Sequence, residues 1–171
     1  MRMSPMPESG RVIVTNTTPL IALAVATGSL DILRAMYARV LVPAAVANEI
    51  LAGGDSAPGV AAFRGATWLE HRPDVRISSY LSNSLDRGEA AVIQTALDES
   101  IALVCIDEAV GRRVARLNGL TVTGSVGILV KAHQQGYAIS LADAIRRMRE
   151  HGIWLADGVV CFAMEHDAST Q

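Results

Sequence analysis

The stretch LVCIDEAVGRRVARLNGL, residues 103–120, decides the fold. Its first four residues are apolar without interruption, which reads as a strand buried on both faces. Asp107 comes directly after them. A helical pattern then runs from about Glu108 to Asn118 and stops at Gly119, where a left-handed residue commonly closes a helix. Leu120-Thr121-Val122 begins a further strand. A buried strand, a short helix and a second buried strand in so short a span describe a parallel pair and its crossover.

The same grammar recurs outward on both sides. Val12-Ile13-Val14 is a β-branched strand, and Thr18 as N-cap with Pro19 at the first helical position predicts a helix to near Gly28. A second helix covers about Leu30 to Tyr37. Val40-Leu41-Val42 is the next strand, and Pro43 opens a helix through Leu51. Residues 53–59 form a turn-rich link before a short helix over Val60 to Arg64. One of Thr67–Glu70 and Asp74–Ile77 supplies another strand. Gly88 opens a helix to about Glu99. Beyond the deciding stretch, a helix spans about Ser125 to Gln135, and Ser140 with Asp143 forms a capping box for a helix through His151. A last helical turn or two covers Asp157 to Met164. The expectation is an α/β domain over residues 11–165, a central parallel sheet with helices on both faces. Flexible tails flank it at 1–10 and 166–171.

Length and composition agree with one such domain. The chain has 171 residues, half of them hydrophobic but only 4% aromatic, so its core is aliphatic. A formal charge of −2 gives no whole-protein field to attract a polyanion, and a local patch would have to hold one. Cys105 and Cys161 lie in apolar runs and read as small buried hydrophobes, reduced and apart. No apolar run approaches the roughly 20 residues of a membrane span. The opening MRMSPMPESGR lacks the apolar middle of a signal peptide, so a cytoplasmic location is expected.

In an open parallel sheet, ligands bind beyond the carboxyl ends of the strands. Four residues stand there. Asn16 lies just past the first strand, where an Asx turn or a helix cap is the plain alternative. Glu49 borders the apolar stripe Val42, Val46 and Ile50, so it faces the sheet edge, either toward a site or toward an arginine partner. Glu89 lies in a first helical turn, where the dipole alone favours an acid, yet Ile93 one turn on points the same face inward. Asp107 is a site residue or an N-cap of the helix after it, two roles that are compatible. One oxygen-bearing side chain from each of four successive βα units is a set that Mg²⁺ or Mn²⁺ would bind. Such an ion would hold a phosphodiester and generate a hydroxide nucleophile.

Five pieces together carry a resemblance: VIVTNTTPLIALA (12–24), VLVPAAVANEI (40–50), LDRGEAAVIQTAL (85–97), residues 103–120, and VTGSVGILVKAHQQG (122–136). Their order and spacing resemble the PIN-like proteins, in particular the VapC-type toxins and the branch with an Asn-Thr-x-Pro-Leu first motif. The resemblance runs from Val12 to about Ala163. It implies a PIN-like three-layer fold, a divalent-metal site, RNA cleavage in toxin members, a cognate antitoxin and a homodimer. It assigns Asn16, Glu49, Glu89 and Asp107 to the four acidic places, as metal ligands and catalytic residues. Thr17, Glu108 and Ser125 are secondary candidates. Two departures stand out. Many active PIN nucleases have Asp where this chain has Asn16, and a further acid where it reads Thr123-Gly124-Ser125.

For a substrate, Arg112, Arg113 and Arg116 come after Asp107 on one helix, and Arg146, Arg147 and Arg149 form a second cluster; either is a phosphate grip or a solvated face. No aromatic residues interleave with them to stack bases. The four histidines are scattered, and no phosphate-binding glycine loop appears. The leading expectation is a metal-dependent endoribonuclease, the toxin half of a toxin–antitoxin pair. A PIN-fold module that has lost catalysis and holds nucleic acid or a partner protein is the second. A phospho-acceptor receiver domain is the third, disfavoured because Thr15-Asn16 stands where that fold wants an acidic pair.

Overall fold

The computed structural model describes residues 10–168, so residues 1–9 of the expected N-terminal tail and residues 169–171 lie outside it. The elements are β1 (Val12–Thr15), α1 (Thr17–Thr27), α2 (Asp31–Met36), β2 (Arg39–Pro43), α3 (Ala44–Ala52), α4 (Val60–Gly65) and β3 (Glu70–Arg72), then α5 (Ser79–Ser84), α6 (Arg87–Asp98), β4 (Leu103–Cys105), α7 (Ala109–Leu117), β5 (Thr121–Thr123), α8 (Ser125–Gln134), α9 (Leu141–Glu150) and α10 (Asp157–Ala168). Five parallel strands pair in the order β3-β2-β1-β4-β5. Chain order runs outward from β1 in both directions, so the direction of winding reverses between β1 and β4. That reversal opens a crevice at the carboxyl ends of these two strands.

The strands sit where continuous apolar runs placed them because both faces of the sheet are covered. Helices α1, α8, α9 and α10 pack on one another, while α6 lies across β1, β2 and β4 with α5 and α7 beside it. Ile13, Val14, Leu41, Val42 and Val104 are completely buried between these layers. The core is aliphatic, with Phe63 and Tyr37 as its aromatic members.

Departures from expectation are local. Thr18 does not cap α1. Asn16 holds the N-cap position without a side-chain cap bond, and Pro19 falls two residues later than expected, still in the first turn, where proline does no harm. The additional strand is β3, between the two segments that could have supplied it. It is short and charged, as an edge strand should be, and an ion-pair chain from Arg39 through Glu70 and Arg72 to Glu99 holds it. Helix α5, capped by Ser78, has too short a pattern to stand out by periodicity. Gly88 is not the start of α6; Asp86 is its N-cap and accepts from the Glu89 amide at 2.8 Å. Ser140 caps α9 as expected, its hydroxyl accepting from the Asp143 amide at 3.2 Å. Helix α10 continues past Met164 to Ala168. Both cysteines are free, but only Cys105 is buried; Cys161 is exposed on α10, because a consecutive apolar run winds round a helix and Cys161 falls on the outer side.

The register fixes the geometry of the sheet's carboxyl edge. Thr15 pairs with Cys105, and Cys105 with Thr123, so the ends of β1, β4 and β5 are level. The ladder continues one step beyond the strands, with the Asn16 amide donating to Cys105 O and the Ile106 amide to Thr123 O, both at 3.0 Å. Central β1 carries this alignment. Replacing fully buried Ile13 by Ala should cost about 3 kcal/mol or more, read as a lowered urea midpoint at unchanged slope. A loss under about 1 kcal/mol would show that β1 tolerates a cavity and is not the packed centre described.

Candidate active site

Asn16 sits at the level end of β1, 3% exposed. Its Nδ2 donates to Glu108 Oε2 at 3.4 Å. The reverse orientation of the amide would set two oxygens against each other, so Oδ1 turns the opposite way. That buried Oδ1 has no hydrogen-bond partner. It faces the first turn of α6, where a Cβ built on Gly88 would lie 3.2 Å from Asn16 Oδ1, 2.8 Å from Glu49 Oε2 and 3.5 Å from Asp86 Oδ1. Three oxygens thus border the space left by a missing side chain. Glu49 reaches it from the exposed side of α3, steadied by the Thr17 hydroxyl at 2.9 Å. Glu49 has no arginine partner among the described residues.

Glu89 is 6% exposed and points at α7, its Oε1 2.6 Å from where a Cβ on Gly111 would be. Burial, reinforced by repulsion from Asp86 and Glu108, pushes its carboxyl up to about 7. Asp107 does not cap α7, although its place in the sequence allows that role. Its Oδ1 accepts from the Ser125 amide at 2.7 Å and its Oδ2 from the Ser125 hydroxyl at 2.8 Å, so it binds the start of α8. Burial raises the Asp107 pKa, with the two Ser125 hydrogen bonds opposing that rise. Glu108 lies among all of these groups: it accepts from Asn16 and from the Thr18 hydroxyl, and it repels both Glu89 and Asp107.

The four principal candidates therefore share one end of the sheet without sharing one contact point. Asn16 and Glu49 meet at Gly88, Glu89 lies against Gly111, and Asp107 is held by Ser125. Of the secondary candidates, Thr17 positions Glu49, Ser125 holds Asp107, and Glu108 bridges Asn16 and Thr18. Among the described residues, no group of three or more His, Cys, Asp or Glu side chains is placed to hold a metal ion. The donors that do gather are two carboxylates and an amide, around a cradle that a single Cβ would fill. Hard oxygens around an orphaned amide oxygen are the kind of donor set a divalent cation takes.

Asp86 is a site residue that the sequence reading misses. Its signal is legible all the same: Asp86 stands three before Glu89, the spacing of an N-terminal capping box, and the same Oδ1 that caps the helix borders the cradle. A cleft of about 1050 Å³ opens from Asp107 and Glu108 and runs past Arg112 and Arg116. Arg113 is exposed but does not line it. The second arginine cluster is committed elsewhere in part: Arg146 pairs with Asp143 and Glu150, and Arg147 donates to Ala26 O at 3.0 Å. Aromatic side chains do reach the cleft, although none interleave with the arginines in sequence, since Trp154 and Phe162 also line it.

The raised Glu89 pKa carries a pH signature. A proton binds Glu89 more tightly in the folded chain than in the unfolded one. The resulting stabilisation is complete below about pH 4.5 and is lost as pH rises through about 7. Glu89→Gln should remove that slope, measured as melting temperature against pH without added metal. Parallel curves for parent and variant between pH 5 and roughly 7.5 would mean that Glu89 is solvated rather than buried.

A family model described as DUF3368, a PIN domain, matches residues 12–167. No curated relative matches the chain. The matched span takes in every strand and every candidate site residue, and its parallel sheet with helices on both faces is the PIN-like three-layer α/β fold. PIN domains are in general nucleases, commonly with divalent metals. This chain belongs to the PIN-domain family.

Proposed function

We propose that the chain is a metal-dependent endoribonuclease that hydrolyses phosphodiester bonds at the carboxyl ends of β1 and β4. The observation that carries this reading is the cradle at Gly88, where the unpartnered Asn16 Oδ1 faces Glu49 and Asp86 oxygens with no cationic side chain among them. Asn16, Glu49 and Asp86 would hold Mg²⁺ or Mn²⁺ there, with Glu89 and Asp107 as the further acids of the site. When bound, the ion supplies positive charge to a phosphate and acidifies the attacking water. Glu89, titrating near neutrality, is the group able to take a proton from that water at physiological pH. Asp107, fixed by two hydrogen bonds, keeps its charge in one place without reorganising. Arg112 and Arg116 hold phosphates further along the cleft. RNA as the substrate, the toxin half of a toxin–antitoxin pair as the setting, and a homodimer as the assembly rest on the likeness to VapC-type proteins.

The second reading, a PIN-fold module that binds without cutting, is favoured by Ser125. Where many active relatives have an acid, this chain has a hydroxyl that donates to Asp107. Both readings meet in one experiment, in which end-labelled single-stranded RNA is incubated with the protein and Mn²⁺ or Mg²⁺. Cleavage should appear, stop with EDTA, and fall by roughly a hundredfold or more in Asp107→Asn. The variant should keep its fold, since an amide can still accept from the Ser125 backbone. Binding without cleavage in the parent would select the second reading. Cleavage undiminished in Asp107→Asn would remove Asp107 from the chemistry.

The cradle has its own test in Gly88→Ala. Alanine is the better helix residue by up to about 1 kcal/mol, and what its methyl group meets is the movable end of Glu49. Melting temperature should hold or rise while Mn²⁺ affinity, by calorimetry, falls roughly tenfold or more. Unchanged affinity would place the cation elsewhere.

A further inference from the structure

We infer that the cleft lined by Arg112 and Arg116 also carries a nucleobase-stacking subsite for single-stranded RNA, with Trp154 as its platform. The inference rests on the endoribonuclease reading and names how that site grips its substrate. Trp154 lies in the turn between α9 and α10 and is 84% exposed, and Phe162 on α10 is 45% exposed. A tryptophan held so far into water, in a chain with only two, has apolar surface awaiting a partner. Phe162 lies against His166, with ring centroids 4.4 Å apart and planes tilted by 55°, so its ring is held in place.

The arginines that line the same cleft decide the class of partner. Arg112 donates to Ile106 O at 2.9 Å and otherwise leaves its guanidinium toward the cleft, and Arg116 is exposed. Neither forms an ion pair among the described residues. At the inner end stand Asp107 and Glu108. One polymer presents flat apolar faces on one side, negative charge on the other, and a bond to be cut at an acidic end, and that is a single-stranded nucleic acid. Bases stack on Trp154, as they do on aromatic platforms generally, and phosphates lie along α7. A duplex hides its base faces, so the subsite selects unpaired strands. An apolar peptide would satisfy the rings and leave the Arg116 guanidinium desolvated without a counter-charge.

The test uses full-length protein in a Trp68→Phe background, so that Trp154 is the sole indole, and three probes of equal length: a 2′-O-methyl single strand that resists cleavage, an abasic strand, and a duplex. The single strand should quench Trp154 fluorescence. Trp154→Ala should weaken its binding roughly tenfold by anisotropy, with no more than a small change in melting temperature because the ring is exposed. The abasic strand and the duplex should bind parent and variant alike. Equal binding of the base-bearing single strand by parent and variant overturns the inference, as does equal weakening on the abasic strand. It is overturned too if Trp154→Ala dissociates a dimer and leaves RNA affinity untouched, since that surface then covers a second copy. A parent that binds with quenching but never cleaves under Mn²⁺ would end the nuclease reading alone and leave this subsite standing.

Discussion

Oxygen-bearing side chains crowded at one edge of the sheet, with Arg112 beside Asp107 as the cation that acts on them, are the constraint on which the site depends. Asn16, Glu89, Asp107 and Glu108 are buried or half-buried, and each sits near another acid or carbonyl-type oxygen. Low dielectric and like charge both disfavour ionisation. The fold answers chiefly with donors: Thr17 to Glu49, Thr18 and Asn16 to Glu108, Ser125 to Asp107. Neutral donors steady carboxylates in place and leave their charge available to something that arrives.

The parallel register makes this crowding possible. Level ends of β1, β4 and β5 bring residues 92 positions apart in sequence, Asn16 and Glu108, within hydrogen-bonding distance. Glycines then clear the space between them. Gly88 and Gly111 each stand where a methyl group would press on a carboxylate oxygen, and Gly124 likewise leaves room for Asp107 and Arg112. None of these three has a left-handed backbone. They are glycine because of what lies opposite, which local conformational preference does not reveal.

Ser125 tips this balance further. An acid at that position would add charge beside Asp107, already raised by burial. A serine instead adds a hydroxyl donor to the backbone amide that already binds Asp107. Charge also gathers toward β1 and α6, where Asp86 and Glu49 flank the neutral Asn16.

Much of this is determined by the sequence alone. Continuous apolar runs at Val12, Val40 and Leu103 mark strands buried on both faces because burial on both sides removes any reason to alternate, and Ser140 and Gly119 bound their helices by local chemistry. Asn16, Glu49, Glu89 and Asp107 are legible as polar residues at strand ends or on inward helix faces. The tertiary structure alone decided their partners. That Asp107 holds α8 rather than α7, that Asp86 joins Asn16 and Glu49 at Gly88, and that Trp154 and Arg116 line one cleft depend on contacts between distant segments. Periodicity reports which side of an element is buried, because that comes from 3.6- and 2-residue repeats. It carries no record of which element lies opposite, since that is set by register and packing over the whole sheet.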